Sequence, residues 1–174
     1  SVSGLPVLEC ASFGRNISTY DLEKKSGELI NLGKIFLDMG DSDSALACLK
    51  RAAEKDPTSF EAVNNLAGAY LSKNDFDNAV VYFTKAVTIE PKNLTAKLNL
   101  AKAYASAGQY DSAKASFTEI LQKDNQNWEA YLELAKVCIA LKEPEKAEGY
   151  LVTLQEKNPT YKASEVASLL QSIK

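Results

Sequence analysis

The stretch EAVNNLAGAYLSKNDFDNAVVYFTKAVTIEP, residues 61–91, returns in altered form as TAKLNLAKAYASAGQYDSAKASFTEILQKDN, residues 95–125. The offset between the two stretches is 34 residues, and they agree at many positions, among them four pairs that are spread along the stretch. These matched pairs are Leu66 and Leu100, Tyr70 and Tyr104, Ala79 and Ala113, and Phe83 and Phe117. Agreement at several positions with one fixed offset is typical of an internal structural repeat.

The same period continues in both directions and defines four consecutive repeats, 26–59, 60–93, 94–127 and 128–161. Counted from the first residue of each repeat, the seventh place is always leucine, at Leu32, Leu66, Leu100 and Leu134. The eighth place is always small, at Gly33, Ala67, Ala101 and Ala135. The twentieth place is always alanine, at Ala45, Ala79, Ala113 and Ala147. Small residues at fixed places indicate that helix backbones approach closely there.

Within each repeat the apolar residues predict two antiparallel helices. Places 4, 7, 8 and 11 fall on one face of a first helix, and places 20, 24 and 27 fall on one face of a second. Between the two helices three repeats carry a residue that tolerates a positive φ, namely Gly40, Asn74 and Gly108. The fourth repeat has Lys142 there, followed by Pro144, which can begin a helix because it needs no N–H donor at that position.

These places together resemble the tetratricopeptide repeat family, whose unit is a 34-residue helix-turn-helix. The resemblance covers residues 26–161 and implies an all-α fold, a right-handed α-solenoid of four repeats. A capping helix is expected over 162–174, because Val166, Leu169, Leu170 and Ile173 share one face and can cover the last repeat. The capping-box pattern at Ser18–Asp21 predicts an extended first helix over 19–39. The solenoid would then occupy 18–174, after a flexible N-terminal segment, 1–17.

Composition argues against most enzyme and nucleic-acid functions. The 174 residues include no histidine, so imidazole is absent as a general base and as a zinc ligand. The net charge of −3 provides no excess of cations for phosphate. Cys138 takes the place of a core aromatic and is expected to be inert, and Asp41-Ser42-Asp43 is expected to be a polar turn with a helix cap. We therefore predict no enzyme activity, no catalytic residues, no cofactor, no metal site and no nucleic-acid partner. The longest apolar runs are short and interrupted by charges, so we also predict no membrane insertion.

The compartment is not decided by the sequence. The chain begins at Ser1 without an initiator Met, so upstream sequence is expected to have been removed. The cytoplasm is the default expectation, and a periplasmic or lipid-anchored bacterial protein remains an alternative.

A binding surface is expected on the outward side of the first helices, which in the resembled family line the concave groove. The sixth place of each repeat holds Asn31, Asn65, Asn99 and Glu133, and the ninth holds Lys34, Gly68, Lys102 and Lys136. An asparagine amide has a donor and an acceptor, so a row of amides can pair with any peptide backbone. Neighbouring lysines would favour an acidic peptide. The alternative is that this row is only a solvated face.

The sequence thus predicts a scaffold or adaptor that binds a protein or peptide partner in its groove. Two alternatives remain open. One is a structural module that forms homo-oligomers, and the other is the non-catalytic regulatory array of a larger enzyme.

Overall fold

The computed structural model describes residues 25–174, which form helices and turns without a strand. The helices are α1 (Ser26–Asp38), α2 (Ser42–Lys55), α3 (Phe60–Ser72), α4 (Phe76–Ile89), α5 (Leu94–Ser106), α6 (Tyr110–Lys123), α7 (Trp128–Ala140), α8 (Pro144–Lys157) and α9 (Ala163–Ser172). The first helix of each repeat begins at the first place that the 34-residue period assigns, at Ser26, Phe60, Leu94 and Trp128. The predicted all-α repeat fold is confirmed, and α9 follows the fourth repeat as the predicted cap.

The described part of the chain divides into two compact units, the first ending at Ala96 and the second spanning Lys97–Lys174. In the first unit α1 packs on α2, α3 packs on α4, and α1 also contacts α3. Its core includes Leu29, Ile30, Ala52 and Ala62, all of them buried. In the second unit α7 packs on both α6 and α8, and α9 packs on α8. There Phe117 and Leu134 are completely buried in one core cluster.

The turns between paired helices use a left-handed residue in every repeat. Gly40 and Gly108 have φ of 77° and 74°. Asn74 adopts the same region with φ of 59°, so the prediction is confirmed in the three repeats for which it was made. Lys142, which replaces this residue in the fourth repeat, also has a positive φ, of 60°. Pro144 begins α8 as expected, because its missing N–H is not needed in the first helical turn.

The predicted helix over 19–39 is shorter where the structure describes it. Lys25 has an extended backbone, with φ of −70° and ψ of 151°, and α1 begins at Ser26. Ser26 and Gly27 are weak helix formers, which favours a helix boundary at this point. The predicted segments 1–17 and 19–24 lie outside the described residues.

The eighth place of the first repeat shows why this position must be small. A Cβ atom added to Gly33 would lie 2.5 Å from Leu49 Cγ and 2.8 Å from Leu49 Cδ2. Leu49 is itself completely buried, so its side chain has little room to move away. The close approach of α1 to α2 therefore depends on the missing side chain of Gly33.

Two glycine substitutions on neighbouring first helices should change stability in opposite directions. Gly33→Ala should lower the free energy of unfolding, because overpacking costs about 1–3 kcal/mol, which exceeds the helix-propensity gain of about 1 kcal/mol. Gly68→Ala should raise it by about 0.5–1 kcal/mol, since nothing lies within 4 Å of the added Cβ. Urea unfolding of both variants measures the difference, and stabilisation by Gly33→Ala would contradict the close packing.

Candidate protein-binding face

The outward side of the first helices carries the candidate site residues of each unit, and we call these residues the first-helix face. It comprises the sixth- and ninth-place residues Asn31, Lys34, Asn65, Asn99, Lys102, Glu133 and Lys136. It also includes the glutamates that pair with the lysines, Glu61, Glu129 and Glu165. In the first unit it lies on α1 and α3, and in the second on α5 and α7, with Glu165 on α9. The sixth-place side chains are accessible: Asn31 is exposed, and Asn65, Asn99 and Glu133 are partly exposed. They are accessible because the buried places 7 and 8 occupy the other side of each helix.

Asn65 differs from the other two asparagines in its local bonding. Its Nδ2 donates to the carbonyl oxygen of Glu61, one turn earlier on α3, at 2.8 Å. This bond fixes the orientation of the amide and uses one of its donors. The Asn65 side-chain oxygen takes no part in that bond and can accept from a peptide N–H.

Each lysine of the first-helix face pairs with a glutamate on the next first helix or the cap. Lys34 Nζ lies 3.2 Å from Glu61 on α3. Lys102 Nζ lies 2.7 Å from Glu129 on α7. Both pairs join the ninth place of one repeat to the second place of the following repeat. Exposed pairs of this kind contribute only about 0–1 kcal/mol each, but they restrict long side chains to one geometry.

Lys136 joins the fourth repeat to the cap helix. Its Nζ lies 2.8 Å from Glu133 on α7 and 2.7 Å from Glu165 on α9. Burial alone would lower the pKa of Lys136, but the hydrogen bonds to the two glutamates outweigh burial, and the pKa is raised. The bond from Lys136 correspondingly lowers the pKa of Glu165. The ammonium is therefore held in its charged form between two carboxylates.

These pairs change the electrostatic character expected of the face. In the first unit, Lys34 is balanced by Glu61. In the second, two lysines face three glutamates, Glu129, Glu133 and Glu165. The attraction that the lysines alone would exert on an acidic peptide is thus largely cancelled within the face.

A surface pocket of about 330 Å³ opens beside this row in the second unit. Its lining includes Lys102, Glu133 and Lys136, three of the predicted site residues. The other lining residues are mostly apolar or aromatic, namely Ala105, Tyr110, Val137 and Ala140, with Ser106. The volume lies at the small end of the range for ligand pockets, so it suits one side chain of a partner.

The sequence did not identify Glu61, Glu129 and Glu165 as parts of this face. The signal was present for the first two, because Glu61 follows Lys34 and Glu129 follows Lys102 by the same 27 residues. The second repeat breaks this pattern, with Gly68 at the ninth place and Thr95 at the second place of the third repeat.

The described residues show no cluster suited to binding a metal ion. Between residues 25 and 174 no three His, Cys, Asp or Glu side chains group around a possible metal ion. Burial raises the pKa of the Cys138 thiol, which disfavours the reactive thiolate. Asp41 caps α2 by accepting hydrogen bonds from Ser44 N and Oγ, as the polar-turn prediction required. None of the helices in this part combines the length and apolar character needed to span a bilayer.

Comparison with known families and structures gives consistent matches. Two family models described as Tetratricopeptide repeat match the chain, one over 71–116 and 105–173 and the other over 30–93. A tetratricopeptide repeat protein from Parabacteroides merdae is 25% identical, with a TM-score of 0.73 over 85% of this chain. A chain of the APC/C hetero-tetramer Cut9-Hcn1 is 19% identical, with a TM-score of 0.74 over 86% of this chain.

A thermophilic TPR protein from Thermus thermophilus is 20% identical, with a TM-score of 0.70, and the match covers 85% of this chain and 82% of that one. The chain spans 59% of the Parabacteroides protein and 30% of the matched APC/C chain. The comparison with curated proteins found no match.

Proposed function

The chain belongs to the tetratricopeptide repeat family, and we propose that it is a non-catalytic adaptor whose first-helix face binds an extended segment of a partner protein. Proteins of this fold generally serve protein–protein interaction and scaffolding. The observation that carries the proposal is the accessible asparagine at the sixth place of three successive repeats, Asn31, Asn65 and Asn99. Repeated amides at a structural period suit an extended backbone, which presents donors and acceptors at regular intervals.

The ion pairs support this role by ordering the surface before the partner arrives. Lys34, Lys102 and Lys136 are each tied to a glutamate, so fewer side chains lose freedom on binding. Binding to a preorganised surface costs less conformational entropy. Because the charges are matched, affinity rests mainly on backbone hydrogen bonds, and selection of the partner rests on the pocket between α5 and α7. We therefore propose a segment with one medium-sized, largely apolar side chain that enters this pocket.

Affinity capture tests the proposal with three proteins. These are the wild type, the Asn31→Ala/Asn65→Ala/Asn99→Ala protein, and a control with three exposed polar residues of the second helices replaced, Ser112→Ala/Gln122→Ala/Gln155→Ala. Wild type and control should recover the same proteins from a lysate of the source organism, and the asparagine variant should lose them. Circular dichroism should show that all three are folded. Equal recovery by the asparagine variant would leave the row as a solvated face.

Light scattering of the purified wild type across a dilution series tests the self-association alternative in the same preparation. A mass that falls on dilution would indicate self-association of the chain. If the chain is an adaptor, it should capture the same proteins whether it is a monomer or an oligomer.

A further inference from the structure

A second pocket lies in the first unit, on the other side of α3 from Asn65. Its volume is about 600 Å³, and it is lined by α2, the turn at Pro57, α3 and α4. The α3 residues that reach it, Val63, Leu66 and Tyr70, belong to places 4, 7 and 11. The first-helix face uses places 6 and 9, so the two surfaces are distinct.

The pocket contains a stacked aromatic pair with a lysine over each ring. Tyr70 and Tyr82 stack with ring centroids 5.3 Å apart and an interplanar angle of 14°. Lys50 Nζ lies 5.5 Å from the Tyr70 centroid, and Lys85 Nζ lies 4.6 Å from the Tyr82 centroid. Both distances are within the range of a cation–π contact, which positions each ammonium at the pocket without neutralising its charge.

The positive charge of this pocket is not balanced by the described residues. Lys50 and Lys85 form no ion pair within residues 25–174, whereas Lys34, Lys102 and Lys136 each have a glutamate partner. Glu54 is the one carboxylate among the pocket's lining residues. It lies 3.1 Å from Arg51 Nη1, so its charge is already engaged. Two ammonium groups therefore face a pocket whose own carboxylate is directed to another cation.

We propose that this pocket binds an acidic peptide segment that carries an aromatic residue between two carboxylates. The two carboxylates would pair with Lys50 and Lys85. The aromatic side chain would pack among Tyr82, Pro57 and Ala53, which line the pocket and keep accessible ring and aliphatic surface. The first-helix face, whose charges are internally matched, offers no comparable excess of positive charge. The pocket is thus a second protein-binding site, selective for acidic partners.

The test uses the acetylated and amidated tripeptide Glu-Phe-Glu, titrated into ¹⁵N-labelled protein. Amide shifts should change at residues of α2, α3 and α4 that line the pocket. Lys50→Gln/Lys85→Gln should weaken binding by about tenfold or more, since two charge pairs and two placed cations are lost. Lys92→Gln/Lys157→Gln removes two other exposed lysines and should leave the affinity within about twofold of wild type.

Further variants and peptides test which groups are recognised and where the peptide binds. Tyr82→Ala should weaken binding, whereas Tyr82→Phe should retain it, because only the ring is assigned a role. The Asn31→Ala/Asn65→Ala/Asn99→Ala protein should bind the tripeptide like wild type. Gln-Phe-Gln should bind much more weakly than Glu-Phe-Glu. Absent shifts at the pocket, unchanged affinity in Lys50→Gln/Lys85→Gln, or equal binding of Glu-Ala-Glu would each overturn the proposal.

Discussion

Phe117→Ala should lower the free energy of unfolding by about 3–5 kcal/mol, the cost of truncating a buried phenylalanine. Phe117 occupies the twenty-fourth place of its repeat and is completely buried among Ala101, Ala113 and Leu134. Those neighbours belong to three helices and cannot all move inward, so most of the removed volume remains as a cavity.

Urea unfolding of the full chain measures this loss, with Val152→Ala as the matched control. Val152 lies on α8 of the same unit but is 37% exposed. Its truncation should change stability by no more than about 0.5 kcal/mol. A cost below about 1 kcal/mol for Phe117→Ala would show that the twenty-fourth place is not a core position.

Val166→Asp should detach the cap helix α9 from the fourth repeat. Val166 is 2% exposed and packs with Leu132, Leu151 and Leu154. An ionised carboxylate in this cluster is costly, so we expect a loss of roughly 3–4 kcal/mol or the local release of α9. Release would expose those leucines to water and favour association between copies.

Hydrogen exchange of the α9 amides detects release of the helix, and light scattering detects association between copies. Ser168→Asp is the control, because Ser168 lies two residues further along the same helix and is exposed. It should leave both measurements close to wild type. If Val166→Asp also leaves exchange and mass unchanged, α9 does not cap the repeats.

Much of the fold is predictable because the repeat places have separate physical requirements. Spacing assigns Leu32, Leu66, Leu100 and Leu134 to the core, and all four are buried. The small size of Gly33 predicts a close helix contact at this place, and Leu49 lies against it. Gly40, Asn74 and Gly108 predict the left-handed turn, and all three have a positive φ. These features depend on the backbone geometry of a single repeat. That geometry recurs every 34 residues, so the residues it requires recur at the same period in the sequence.

The details of the candidate site are less predictable. Lysines at the ninth place were expected to face a partner, but Lys34 and Lys102 each contact a glutamate of the following repeat. Which carboxylate a flexible side chain reaches depends on the separation of neighbouring helices and on rotamers, which residue spacing alone does not specify. The pairing of Lys136 with Glu165 further depends on where α9 packs. The asparagine row remains a prediction, since its role requires a bound partner.

Binding at the first-helix face is tested most directly by the dissociation constant of one captured partner for wild type and for the Asn31→Ala/Asn65→Ala/Asn99→Ala protein. Each amide hydrogen bond contributes about 0.5–1.5 kcal/mol net, so losing all three should weaken binding by at least about tenfold. Isothermal titration calorimetry at two salt concentrations should also show little salt dependence, because the charges of the face are matched. The Ser112→Ala/Gln122→Ala/Gln155→Ala control should bind like wild type. Equal dissociation constants for wild type and the asparagine variant would contradict binding at the first-helix face.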